Sequence, residues 1–226
     1  MERASTLRRL IALKAAAASR QETYIKDGLV LWMDGIDKGG TPGAWVDKAA
    51  GYVFEAVNGF EDGADYVGLN AASTQYLRNA SFGVPDAITG TIEVVISDYS
   101  AKSLIFMPKQ NDQLAFGITT AGDKIICSTM SNVKTISFTF GSKVFSVCNN
   151  VRVLIDGTAA TFSTNDAWGG ADNAYCYIGC RNTSSPNYAT AKIHSIRIYD
   201  RVLTETEILH NQRVDNARFN LGLTIS

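Results

Sequence analysis

The stretch "KIHSIRIYDRVLTETEI", Lys192 to Ile208, joins two kinds of structure through a two-residue hinge. Its first half alternates, so His194, Ile196 and Ile198 are expected on one face and Ile193, Ser195, Arg197 and Tyr199 on the other, the period of a half-buried strand. After Asp200 and Arg201 the signals change. Thr204 followed three residues on by Glu207 is a capping box, and Leu203 with Ile208 forms a hydrophobic staple around it. This predicts a helix opening at Thr204, running through "EILHNQRVDNARF" and turning Ile208, Leu209 and Val214 towards the domain.

Upstream of this tail the chain reads as short strands separated by turns rich in Gly, Asn and Asp. "DGLVLWMDG" (27–35), "GTIEVVISDY" (90–99), "VRVLIDG" (151–157) and "NAYCYIGCR" (173–181) are the clearest, and Asp156-Gly157 marks a hairpin. About a dozen such strands with regular turn signals predict an antiparallel sandwich. At 226 residues, 46% of them hydrophobic, the chain can bury one sizeable core. One domain over residues 23–226 is expected, preceded by an arm over residues 1–22.

The arm, "MERASTLRRLIALKAAAASR", has the arginines and alanines of a secretory leader, but Lys14 breaks its apolar stretch. Leu7, Leu10, Ile11, Lys14 and Ala17 fit a helix with one modest apolar stripe. Such a stripe calls for a protein partner or a second copy to cover it. No stretch approaches the roughly 18–20 apolar residues of a membrane span. A net charge of −1 without a basic stripe gives no reason to expect nucleic acid. Cys127, Cys148, Cys176 and Cys180 lack zinc spacing. Cys176 and Cys180 lie roughly 13 Å apart on one extended strand, too far to bridge. Small buried thiols are expected, with a Cys148–Cys176 bridge left open.

The order of these pieces resembles the laminin-G-like, concanavalin A-like jelly roll. "GLVLWMDG" stands near the start, "TIEVVIS" in the middle, then "VRVLIDG", "YIGC" and the tail "AKIHSIRIYDRVLTETEILHNQRVDNARF". The resemblance implies an all-β, antiparallel jelly-roll β-sandwich, here with the N-terminal helical arm and a short C-terminal helix. It implies that the closing strand, with Ile196, Arg197, Ile198 and Tyr199, returns beside the first, and that the helix plugs one end of the sandwich. Trp32 and Trp45 then fall at core positions.

Glucan-cutting relatives of this fold carry E-x-D-x-x-E on one strand, and this chain has no such run. Glu93 and Asp98, five apart, fall on opposite faces of a regular strand. His194, assigned to the aliphatic face, is expected to be a satisfied core imidazole rather than the base of a Ser-His-Asp triad. There is no G-x-S-x-G, P-loop or dinucleotide fingerprint. No enzymatic activity is expected.

For glycan binding, an aromatic that stacks on a sugar ring beside amides and carboxylates is the useful chemistry. Trp168 in "NDAWGGADN", with Asp166, Asn173 and Tyr175, is the first candidate group; Arg181, Asn187 and Tyr188 in "RNTSSPNY" are the second. Family relatives hold calcium at the rim, and here Asp166 and Asp172 are the candidate ligands, with Asn111 and Asp112 a weaker cluster. The expected function is a non-catalytic structural or adhesion protein, a bacteriophage virion component that displays the sandwich and contacts a cell-surface glycan. The alternative is a secreted or surface bacterial carbohydrate-binding module, and behind it a divergent glycoside hydrolase.

Overall fold

The structure is a computed structural model that describes residues 23–86, 89–100, 103–109, 113–118, 124–127, 133–148, 152–162, 164–166, 174–182 and 187–225, with the backbone alone for 124–127, 133–135 and 164–166. The arm over residues 1–22 lies outside the described residues. Along the chain run β1 (Leu29–Asp34), β2 (Ala44–Val46), β3 (Val53–Val57), β4 (Glu61–Asp62), β5 (Val67–Leu69) and β6 (Tyr76–Asn79). Next come β7 (Thr91–Ser97), β8 (Leu104–Met107), β9 (Phe116–Ile118), β10 (Lys124–Cys127), β11 (Val133–Ser137) and β12 (Val144–Cys148). The last are β13 (Arg152–Ile155), β14 (Thr158–Ala160), β15 (Thr164–Asp166), β16 (Cys176–Ile178) and β17 (Ala191–Tyr199), followed by helix α1 (Glu205–Arg218).

The strands form two antiparallel sheets. The first runs β14-β13-β12-β7-β17-β5-β4, with β1 also paired to β17. The second runs β15-β11-β10-β9-β8-β16-β6-β3-β2. The closing strand does return beside the first, Trp32 facing Arg197 and Met33 facing Ile196. Between the sheets lies one core, with Met33, Ile92, Val94, Ile96, Phe145 and Ile198 from the first sheet and Trp45, Phe54, Leu77, Phe106 and Phe116 from the second. Each such buried side chain contributes about 1.5–3 kcal/mol, which makes this packing the main source of stability. The Asp156-Gly157 hairpin forms as expected, with both residues at positive φ, 49° and 82°. That is the backbone a two-residue hairpin turn requires.

Strand β17 departs from strict alternation. Ile193 faces Ile96, but Ser195 already faces Val95, so His194 is the extra residue of a bulge. The bulge puts Ile193 in the core with Ile196 and Ile198 and turns His194 outward, opposite to the face assigned from the sequence. A single inserted residue shifts the period by one, and no local signal in "KIHSI" marks it.

Helix α1 also lies elsewhere than expected. It does not plug an end of the sandwich; it covers the outer face of the first sheet, over β7, β12 and β17. Thr204 caps it, its hydroxyl accepting from the Glu207 N–H (3.3 Å) while the Glu207 carboxylate accepts from the Thr204 N–H (2.8 Å). Leu203 and Ile208 bury together as the staple predicts. The helix face that meets the sheet is polar at its centre, with Asn211, Gln212 and Asp215 fully buried. They meet Arg197, whose guanidinium is also fully buried and bonds Glu93 (3.0 Å), Ser195 (3.1 Å) and both Asp215 oxygens (2.7 and 2.5 Å). Asn211 donates to Glu93 (2.8 Å) and the Tyr199 hydroxyl (3.0 Å), and Ser146 donates to Glu93 (3.0 Å). Tyr24 completes the cluster, its ring 4.0 Å from the guanidinium and its hydroxyl donating to Asp215 (2.9 Å). Burial pushes the Glu93 carboxyl upward, and Arg197 opposes that shift. A buried cation is tolerable because each guanidinium nitrogen finds an acceptor and two carboxylates offset its charge.

The thiols match the expectation where they are described. Cys148, Cys176 and Cys180 are free and buried. Cys148 packs under α1 and Cys176 lies between the sheets, so the open question of their bridge closes in the negative. The Cys127 side chain lies outside the described residues.

Candidate functional site

Among the described residues, two of the surfaces that carry aromatic side chains bear on glycan binding. One is a groove of about 550 Å³ at the side of the sandwich, where the turn after β11 meets the β13–β14 hairpin. Phe138, Thr139, Phe140, Ser142, Asp156 and Thr158 supply its chemistry. Phe140 is 58% exposed, the most solvent-open of the large apolar side chains described. Its turn is held rigidly. The Tyr99 hydroxyl donates to the Ser142 carbonyl (3.1 Å) and accepts from the Gly141 N–H (2.8 Å). The Ser142 hydroxyl donates to the Thr139 carbonyl (2.9 Å), and the Tyr99 ring sits 5.0 Å from that of Phe140.

The opposite wall is equally fixed. Asp156 Oδ1 accepts from the N–H groups of Lys143 (3.0 Å) and Val144 (2.8 Å), tying the hairpin to β12. Gln212 of α1 accepts from the Gly157 N–H (2.7 Å). An exposed ring above a concavity edged by hydroxyls and one carboxylate can hold a ligand with an apolar face and a polar rim. Sequence reading missed this groove because its walls come from segments more than a dozen residues apart, each an ordinary turn by itself.

The second surface is the outer face of the second sheet, where two of the sequence-predicted residues meet. Tyr175 and Tyr188, both half-buried, are joined through Tyr76 and Tyr177: ring centroids are 6.0 Å apart for Tyr76–Tyr188, 5.9 Å for Tyr76–Tyr177 and 6.0 Å for Tyr175–Tyr177. Arg78 lies over the Tyr175 ring at 4.8 Å. Burial raises the Tyr76 hydroxyl above its ordinary pKa. Arg181 and Asn187, partly exposed, stand at the two ends of the loop after β16. These tyrosines spend much of their ring surface on one another, which leaves less for a ligand than Phe140 offers.

Of the first predicted group, the structure describes the Tyr175 side chain and the Asp166 backbone. Asp166 ends β15, the edge strand, whereas Tyr175 precedes β16, five strands across the same sheet. At about 4.8 Å per strand that separation is roughly 24 Å. Trp168, Asn173 and Asp172, like Asn111 and Asp112, lie outside the described residues, as does the Asp166 side chain. Among the described residues no group of three or more His, Cys, Asp or Glu side chains is placed to hold a metal ion. Glu93, the carboxylate of the central strand, is spent on Arg197, Ser146 and Asn211. Trp45 is structural as expected, fully buried with its indole N–H donating to the Asp34 carbonyl (3.0 Å).

A family model for the concanavalin A-like lectin/glucanases superfamily matches residues 61–209, well over half of the chain. Among curated proteins none matches the sequence significantly. Solved structures share the architecture at low identity. Trypanosoma rangeli sialidase in complex with sialic acid is 14% identical with a TM-score of 0.55, over 84% of this chain and 33% of the sialidase. The binding domain of botulinum neurotoxin DC in complex with rat synaptotagmin II is 13% identical with a TM-score of 0.57, over 83% of this chain and 52% of that domain. This chain therefore spans about a third of the sialidase and about half of the toxin domain, and the likeness is one of fold.

Proposed function

Because the chain belongs to the concanavalin A-like lectin/glucanases superfamily, we propose that it works by adhesion, holding a glycan in the Phe140 groove without cutting it. The observation that carries this reading is the 58% exposed Phe140 ring on a turn pinned by Tyr99, above a groove of about 550 Å³. A sugar presents an apolar face to such a ring and hydroxyls to Thr139, Ser142, Thr158 and Asp156. The preformed turn limits the ordering cost of binding. Absence of cleavage is supported by Glu93, which is buried and fully engaged rather than aimed at a groove. The tyrosine face with Arg78 and Asn187 is the second place a sugar could rest.

A glycan array on the full chain, repeated with Phe140→Ala, tests the proposal. Binding that falls at least tenfold in the variant, with unchanged thermal stability, supports it. Binding untouched by Phe140→Ala but lost in Tyr188→Ala moves the site to the tyrosine face. No binding to any glycan overturns it, and a protein partner, as in the toxin domain's complex with rat synaptotagmin II, becomes the reading to test. Display on a bacteriophage virion is the companion proposal, resting on the apolar stripe of Leu7, Leu10 and Ile11. Light scattering on the full chain beside a form lacking residues 1–22 checks it, a defined oligomer that becomes monomeric on truncation being the expected result.

A further inference from the structure

The bulge that turns His194 outward sets it beside a hydroxyl and a carboxylate. Its Nε2 lies 2.8 Å from Ser97 Oγ. Its Nδ1 lies 3.0 Å from the Asp65 carbonyl oxygen and 3.5 Å from the Asp65 carboxylate. A carbonyl oxygen can only accept, so Nδ1 carries the proton of the neutral ring and Nε2 accepts from the Ser97 O–H. That is the tautomer a general base for serine needs, with the second nitrogen held by an acceptor. Lys192 stands directly across the strand pair from Ser97, on the same outer face, its ammonium held by the Asp98 carboxylate (2.7 Å) and lying over the Tyr66 ring at 4.8 Å. We propose that Ser97, His194 and Asp65 form an acyl-transfer site for carboxylic esters, separate from the Phe140 groove.

In the reaction Ser97 Oγ bonds to the ester carbonyl carbon as its proton passes to His194 Nε2. The tetrahedral oxyanion then collapses, the C–O bond to the alcohol breaks, and the alcohol departs with that proton. Water, deprotonated by the neutral imidazole, attacks the acyl-serine and returns the free acid and the starting hydroxyl. Asp65 acts as a positioning residue that keeps Nε2 aimed at Ser97. The rings of Tyr66 and Phe219 pack at 5.9 and 5.4 Å from the imidazole and fix its plane. Burial lowers the His194 pKa from its ordinary value, against the opposing pull of Asp65 and Asp98 and with the help of Lys192. The ring is therefore neutral, and competent as a base, at neutral pH.

The test is labelling of the full chain with a fluorophosphonate, which forms a bond from Ser97 Oγ to phosphorus and expels fluoride, followed by peptide mass mapping. The expected result is an adduct on Ser97 in the folded protein, absent in Ser97→Ala and at least tenfold slower in His194→Gln. The labelling rate of the unsubstituted protein should rise with pH through a single ionisation below the ordinary histidine value. Asp65→Asn should shift that ionisation and slow the labelling, an effect that a merely structural contact would not produce. Three results overturn the proposal: no adduct on Ser97, an adduct equally fast after unfolding, or a rate flat across the histidine range. The pH profile needs no substitution, so it decides the matter even if His194→Gln fails to fold.

Discussion

Arg197 shows how much one side chain can depend on its surroundings. Its charge is fully buried, and it holds two carboxylates, Glu93 and Asp215, that are buried with it. Replacing it with Leu leaves both without a cation, and the expected loss is about 3–5 kcal/mol in urea unfolding. The deficit should have a characteristic pH dependence. Without the arginine, burial holds the Glu93 carboxyl above its unfolded value, so it costs least when protonated and the deficit grows as pH rises. A deficit equal at pH 5 and pH 8 would show that the carboxylates escape to water instead. Glu207 has the opposite sign. Its bonds to Arg201 hold it down to about 2 from an ordinary 4.5, so its contribution is full above 4.5 and lost as pH falls through about 2. The stability difference between the unsubstituted protein and Glu207→Gln should therefore be present at pH 6 and vanish towards pH 2. Because the pair is partly solvated, that difference should stay within about 1 kcal/mol.

At the scale of the element, helix α1 is the piece whose role changed between reading and structure. Its start was legible, because the Thr204–Glu207 box and the Leu203–Ile208 staple are local patterns that hold whatever the helix packs against. Thr204→Ala should cost about 1 kcal/mol, measured by thermal unfolding. Its docking face was not legible. The sequence pointed only Ile208, Leu209 and Val214 at the domain, and the presence of Arg197, Glu93 and Ser146 beneath Asn211, Gln212 and Asp215 explains why these three are buried too. Strand β17 shows the same division. Its strand character follows from β-branched alternation, whereas the bulge at His194 is decided by its pairing with β7. Removing residues 204–226 should expose the buried charges together with Val95 and Val144, and the expected outcome is an insoluble or unfolded chain, checked by circular dichroism of the refolded fragment.

For the molecule as a whole, the cysteines report whether the sandwich and its helical cover unfold together. Burial pushes the Cys148 thiol up to about 11 and the Cys176 thiol up to about 12, so neither offers a thiolate at neutral pH. Both should resist iodoacetamide in the native state and react on unfolding. Equal opening free energies for the two sites would mean one cooperative unit. Faster labelling at Cys148, which lies under the helix cluster, would mean that α1 lifts first. Periodicity, turn chemistry and capping act over a few neighbouring residues, so the sandwich, the Asp156-Gly157 hairpin and the start of the helix were legible in the chain, while the closing of the sandwich by the last strand was implied by the family resemblance. Only folding produces the groove beside Phe140, the buried Arg197 network and the meeting of Ser97 with His194. Each of those is a contact between distant segments, fixed by strand order and register, which no window of sequence contains.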